Sequence, residues 1–124
     1  SDENRKKIIY LDPIDEIETL YASADLFALP SIYEPFGNAN LEALASGLPI
    51  ITSRNCGAAE IITPKKDGIV LAEPSDAKAI AEAIDHLMDP EVREPMSQLA
   101  RALAEQFSQE RNAEAMLKIY EKLT

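Results

Sequence analysis

Short apolar runs alternate along this chain with longer stretches of helical periodicity, and that alternation limits the fold more than any other feature. The runs are Ile8–Leu11, Leu26–Leu29, Ile50–Thr52 and Ile69–Leu71. The pattern predicts an α/β domain built on a parallel sheet. Each run is apolar on both faces, as strands are when helices cover the sheet on each side. Pro49 stands just before the third run, where a missing N–H does least harm. With 124 residues the chain has room for a single domain and one modest core.

The intervening stretches predict the helices. Ile14–Ala24 puts Ile14, Ile17, Leu20 and Tyr21 on one face, and Asn38–Ser46 does the same with Leu41, Leu44 and Ala45. Gly47 is placed to end the second of these in a left-handed conformation. A turn of helix is expected over Ala58–Ile62, beginning at Gly57. Asp76–Met88 should be capped by Ser75 and stopped by Asp89-Pro90. Two further helices, about Glu94–Phe107 and Gln109–Leu123, close the chain, with Pro95 in the first turn of one and Ser108 capping the other. Three βα units describe half of a Rossmann-like sheet. The apolar faces of the last two helices read as a docking surface for further chain.

Charge narrows the partners. Twelve Lys and Arg against 22 Asp and Glu leave a net charge of −10, a field that repels phosphate backbones and anionic membranes. No nucleic-acid partner is expected. The apolar fraction of 46% is that of an ordinary globular domain, and no apolar run approaches the roughly 20 residues that span a bilayer. The single cysteine, Cys56, fits a reducing compartment. The chain starts at Ser1 and runs through a polar stretch, so it reads as a piece of something longer.

In open α/β sheets ligands sit beyond the carboxyl ends of the strands. The second apolar run leads directly into "PSIYEPFGNANLEA", so this loop and helix start lie where a ligand should be. Gly37 lets backbone approach closely, and the amides of Gly37, Asn38, Ala39 and Asn40 point from the helix end towards an anion or polar oxygen. Glu34 and Glu42, eight positions apart, flank that end. Carboxylates repel phosphate but accept hydrogen bonds from vicinal sugar hydroxyls. Together these features describe a nucleotide-sugar, with phosphate at the amides and a sugar on each carboxylate. A plainer reading is that Glu42 complements the helix dipole and Glu34 belongs to an ordinary turn. Spacing alone favours the plainer reading for either residue taken singly.

The complete string shifts the balance towards the first. Glu34-Pro-Phe-Gly-x-x-x-Leu-Glu42-Ala, then "ASGLPII", "GAAEII" and "DGIVL", resembles the C-terminal domain of family-4 glycosyltransferases of the GT-B fold, from about Ile8 onward. Within that family the stretch "LPSIYEPFGNANLEALASGLPIITSRNCGAAEII" and the later "ERN" are most similar to bacterial lipopolysaccharide-core glucosyltransferases. The resemblance implies that residues 1–124 are part of a C-terminal nucleotide-sugar-binding domain, with the N-terminal acceptor domain absent. It implies ribose hydroxyls on Glu42, hydroxyls of the transferred sugar on Glu34 near the reacting centre, and backbone contacts from Phe36, Gly37, Asn38 and Ala39 to sugar and diphosphate. The loop Leu11–Ile14 would lie near the base. The implied donor is UDP-glucose, and transfer retains anomeric configuration with no metal or other cofactor. The acceptor is a glycan or lipid-linked sugar held by the other domain. The implied setting is cytoplasmic, with peripheral membrane association open to the parent only. Family members carry an Arg/Lys pair for the diphosphate on an upstream stretch that this chain does not contain, so the chain alone is expected to be inert.

Two other classes stay open on the residues: an α/β interaction module without catalysis, and a glycoside hydrolase, which also pairs carboxylates. The remaining polar residues are read plainly. His86 is a surface histidine, Cys56 a loop residue without a histidine partner, and Arg54 a surface arginine. Asp85, Asp89 and Glu91 form an acidic helix end, and Lys65-Lys66-Asp67-Gly68 a turn.

Overall fold

A computed structural model describes residues 6–32 and 38–106. Their elements run α1 (Ile17–Ser23), β1 (Phe27–Leu29), α2 (Asn38–Ala45), β2 (Ile50–Ser53), a 3-10 turn (Gly57–Glu60), β3 (Gly68–Leu71), α3 (Ala77–Leu87) and α4 (Pro90–Glu105). The three strands form one parallel sheet in the order β1-β2-β3. Phe27 pairs with Ile50, and Ile50 with Gly68. The α/β class and three of the four expected strands are therefore present.

β2 lies at the centre of the packing because its residues alternate between two layers. Ile50 joins Ala43, Leu44, Leu48, Ala100 and Ala104 beneath α2 and α4, whereas Ile51 joins Leu71, Ala83, Leu87 and Met96 beneath α3. Both isoleucines are wholly buried, and each such side chain contributes about 1.5–3 kcal/mol of transfer free energy. Small residues, Ala43 on α2 and Ala100 and Ala104 on α4, share the first layer. Gly47 ends α2 at φ +80°. The amide of Gly47 donates to the Leu44 carbonyl (2.9 Å) and that of Leu48 to the Ala43 carbonyl (3.0 Å), the paired bonds of a Schellman closure. The Ser97 hydroxyl then donates to the Gly47 carbonyl.

Several expectations need correction. Ile8–Leu11 forms no strand: Ile9 is 79% and Tyr10 92% exposed. A both-faces-apolar run needs a ladder partner and cover on two sides, and this one has neither among the described residues. α1 begins at Ile17 and not at Ile14, and Glu16 at its start makes no side-chain cap. Asp76, not Ser75, caps α3, its Oδ1 accepting from the Ala79 amide at 3.0 Å, while the Ser75 hydroxyl donates to Glu73. Asp89-Pro90 stops α3 but also starts α4, with the Asp89 carboxylate accepting from the Glu91 amide and Pro90 in the first turn. Pro95 consequently falls in the second turn. The Arg93 guanidinium donates to the Leu87 and Met88 carbonyls at 3.2 and 3.1 Å and closes α3. Met96 and Leu103 of the expected docking face are packed in the core, leaving Leu99 exposed. The expected helix Gln109–Leu123 and its cap Ser108 lie outside the described residues. No described helix is long and apolar enough to cross a membrane.

Candidate functional site

Two polar ties fasten the exits of β1 and β2 at the carboxyl edge of the sheet. The Ser53 hydroxyl donates to the Ser31 carbonyl, and the Cys56 thiol donates to the Leu29 carbonyl at 3.8 Å. The Ser53 hydroxyl and Cys56 sulfur stand 3.5 Å apart. Cys56 is thus buried (2% exposed) and structural, where the sequence suggested a replaceable loop position. Burial pushes its thiol up, but the Thr52 and Ser53 side chains and the Ser53 and Ser31 backbone together hold it below its ordinary value. The sole histidine of the chain, His86, is exposed on α3 and offers no base. Arg54, next to the tie, is also exposed.

α2 opens at this edge. Its first turn begins at Asn38, and helix geometry leaves the first-turn amides without intrahelical partners and positive in sign. Ala39 is half-buried, and Asn40 is wholly buried. Neither polar atom of the Asn40 carboxamide has a hydrogen-bond partner among the described residues. The Thr52 hydroxyl biases the Cys56 thiol yet likewise makes no hydrogen bond of acceptable geometry. By strand alternation Thr52 lies on the Ile50 face of β2, the side covered by α2. Two orphaned polar side chains therefore share one layer near the carboxyl edge. Leaving such a group unpaired costs about 1–3 kcal/mol.

Glu42 stands one turn further along α2, with its side chain exposed. The Tyr21 hydroxyl donates to its Oε2 at 3.3 Å. Tyr21 is itself only 7% exposed, and its ring meets Phe27 edge-on, centroids 6.0 Å apart at 75°. Burial, then the charge and hydrogen bond of Glu42, then the charge of Glu18 raise the phenol above its ordinary value, so it remains a donor. Of the residues singled out in the sequence, Ala39 and Glu42 share this helix with the backbone of Asn38. Glu34, Phe36 and Gly37 lie outside the described residues. Neither of two open clefts, of about 410 Å³ between Thr63 and Leu103 and about 300 Å³ between Tyr21 and Ser97, includes Glu42, although Tyr21 lines the second.

Sequence reasoning placed the Asn40 amide at the helix end but missed its buried carboxamide, and it missed the contact of Tyr21 with Glu42. Asn40 had a signal, since it sits four positions before Leu44 and so shares the buried face. Tyr21 was legible as an apolar-face residue, but its hydroxyl's partner is 21 residues away and left no local trace.

The family profile of glycosyl transferases group 1 matches residues 1–121. D-inositol 3-phosphate glycosyltransferase of Corynebacterium jeikeium is 36% identical over 112 residues, 90% of this chain and 26% of that protein. Sucrose-phosphate synthase from Thermosynechococcus elongatus superposes with a TM-score of 0.83 at 33% identity, covering 95% of this chain and 30% of that one. WaaG, a glycosyltransferase involved in lipopolysaccharide biosynthesis, gives 0.74 at 30% identity, with 82% and 28% covered. The Anabaena protein HepE, solved with UDP-glucose, gives 0.65 at 28% identity, with 70% and 24% covered. The chain spans about a quarter to a third of the length of these proteins. A profile match over nearly every residue, on a parallel sheet with the same architecture, means that the chain belongs to the glycosyl transferases group 1 family.

Proposed function

We propose that this chain is the donor-binding part of a longer, retaining glycosyltransferase, one that moves glucose from UDP-glucose to a glycan acceptor such as a lipopolysaccharide core. The observation that carries this reading is the position of Glu42, one turn into a helix whose amino end opens at the carboxyl edge of a parallel sheet. Amides at that end suit a diphosphate, and a carboxylate beside them suits a vicinal diol. Likeness to HepE, solved with UDP-glucose, supports the donor, and likeness to WaaG supports the acceptor class.

In the reaction so read, Glu42 accepts hydrogen bonds from the ribose hydroxyls and Glu34 from the hydroxyls of the transferred sugar. The acceptor oxygen bonds to the anomeric carbon on the face from which the diphosphate oxygen departs. That departing oxygen takes the acceptor proton, and UDP is released, with no metal in the step. Stabilising the charge that develops on the leaving diphosphate supplies much of the rate enhancement in such chemistry. On this reading cationic residues outside the chain provide that stabilisation, and the chain alone does not transfer sugar. The setting is cytoplasmic.

The test is substitution in the full-length parent. Glu34→Gln should lower turnover strongly, and Glu42→Gln should weaken UDP-glucose binding about tenfold, the loss expected when a hydrogen bond to a charged group is removed. Unchanged donor affinity in Glu42→Gln would refute the ribose assignment. Turnover of a simple glycoside in preference to UDP-glucose would move the protein into the hydrolases.

A further inference from the structure

Glu42 is a long, exposed side chain, and such a group loses up to about 2 kcal/mol of rotamer freedom when it is fixed on a ligand. One contact already restrains it: among the described residues, the hydrogen bond to its carboxylate comes from Tyr21. The donor is rigid where the acceptor is not. The Tyr21 ring is buried in the layer beneath α2, edge-on against Phe27, so its hydroxyl has little choice of position. A carboxylate offers about four lone-pair sites on two oxygens. Occupation of Oε2 by the phenol leaves Oε1 free to accept from neighbouring hydroxyls and narrows the range of positions it can take.

We infer that Tyr21 is a positioning residue for nucleotide binding, holding the Glu42 carboxylate by Oε2 so that Oε1 meets the ribose diol of the donor. The inference rests on the donor-binding reading above and adds a residue to it from another helix, α1. A side chain 21 positions upstream thereby holds the carboxylate of Glu42 on α2. A tyrosine that merely fills the core would give the same burial, but its hydroxyl would have no bearing on the ribose.

The experiment compares wild type, Tyr21→Phe, Glu42→Gln and the double variant in the full-length parent, measuring UDP affinity by calorimetry and turnover of UDP-glucose. Phenylalanine keeps the ring and its packing, and a thermal melt of each variant checks the fold. Tyr21→Phe should weaken UDP about three- to tenfold, the effect of one hydrogen bond near 1 kcal/mol, and raise KM with kcat nearly unchanged. Added to Glu42→Gln it should change nothing further, because the group it positions is gone. It should also leave the affinity for 2′,3′-dideoxy-UDP unaltered, since that probe lacks the diol. If Tyr21→Phe weakens UDP and its dideoxy analogue alike, or lowers the melting temperature with KM unmoved, the residue is structural and the inference is overturned. If Glu42→Gln weakens UDP while Tyr21→Phe does not, the inference alone falls. If Glu42→Gln has no effect on UDP, the ribose reading falls and takes this inference with it.

Discussion

The two ends of α2 are finished in opposite ways. At its carboxyl end the backbone bonds of Gly47 and Leu48 close the last turn, and Ser97 from α4 caps the Gly47 carbonyl. The adjoining turn before β3 buries Asp67, yet the Thr63 amide meets its carboxylate at 2.7 Å. At the amino end Asn40 and Thr52 are buried with no partners among the described residues. Most buried polar groups in folded proteins are paired, so exceptions gathered at one edge carry information. One end pairs its polar groups, and the other leaves two buried ones unpaired near the carboxyl edge of the sheet, the side on which open α/β folds hold their ligands.

The largest effect expected from breaking this contrast is at Gly47. An alanine there would hold a Cβ at φ +80° and place it 3.1 Å from the Arg101 guanidinium. Strain in the left-handed region is worth about 1–2 kcal/mol, so Gly47→Ala should lower the urea midpoint by that equivalent and leave nucleotide affinity alone. A loss below about 0.5 kcal/mol would mean that the closed end is not a stability element, since ordinary surface changes reach that size.

A smaller effect of opposite sign is expected at the other end. Asn40→Leu replaces two unpaired polar atoms by an apolar side chain of similar size and should raise stability by about 1 kcal/mol in the same denaturation assay. Destabilisation would show that the carboxamide has a partner after all, and the contrast between the ends would collapse.

The smallest effect is a pH dependence at Asp67. Burial raises its carboxyl above the ordinary 3.8, against the opposing pull of the Thr63 amide, its own backbone and Lys66. The folded state thus binds this proton more tightly than the unfolded one. Its contribution to stability is fully present below 3.8 and is lost as pH rises through the raised value. Denaturation midpoints of wild type and Asp67→Asn, which keeps the acceptor oxygen and never ionises, should therefore diverge between acidic and neutral pH. Wild type should lose ground relative to the variant as pH rises. A constant difference would show that the buried carboxyl is not the source.

The sequence made the sheet legible because the runs that form β2 and β3 lead with residues apolar on both faces, the composition of strands covered by helices on each side. Gly47 was legible because few other residues tolerate its conformation. Ile8–Leu11 shows the limit of the same logic, for strand pairing depends on neighbours that an apolar run does not specify. The Asp89-Pro90 pair shows another. Asp before Pro satisfies both the stop of one helix and the cap of the next, and here it does both. At the candidate site, Glu42 was singled out by the string around it, since its spacing to Glu34 alone favours a plainer reading. The contact of Tyr21 with Glu42 was not legible, because its partner is 21 residues away, and the unpaired state of the Asn40 carboxamide depends on packing that the string does not carry.

The ties between the strand exits have a mechanical consequence. Ser53 and Cys56 grip the carbonyls of Ser31 and Leu29, so the peptide planes leaving β1 cannot turn without loosening the exit of β2. The two loops are coupled like the jaws of one clamp. Any shift of residues 30–32 would have to stretch the bonds to Ser53 and to Cys56, the residue that precedes the turn at Gly57–Glu60.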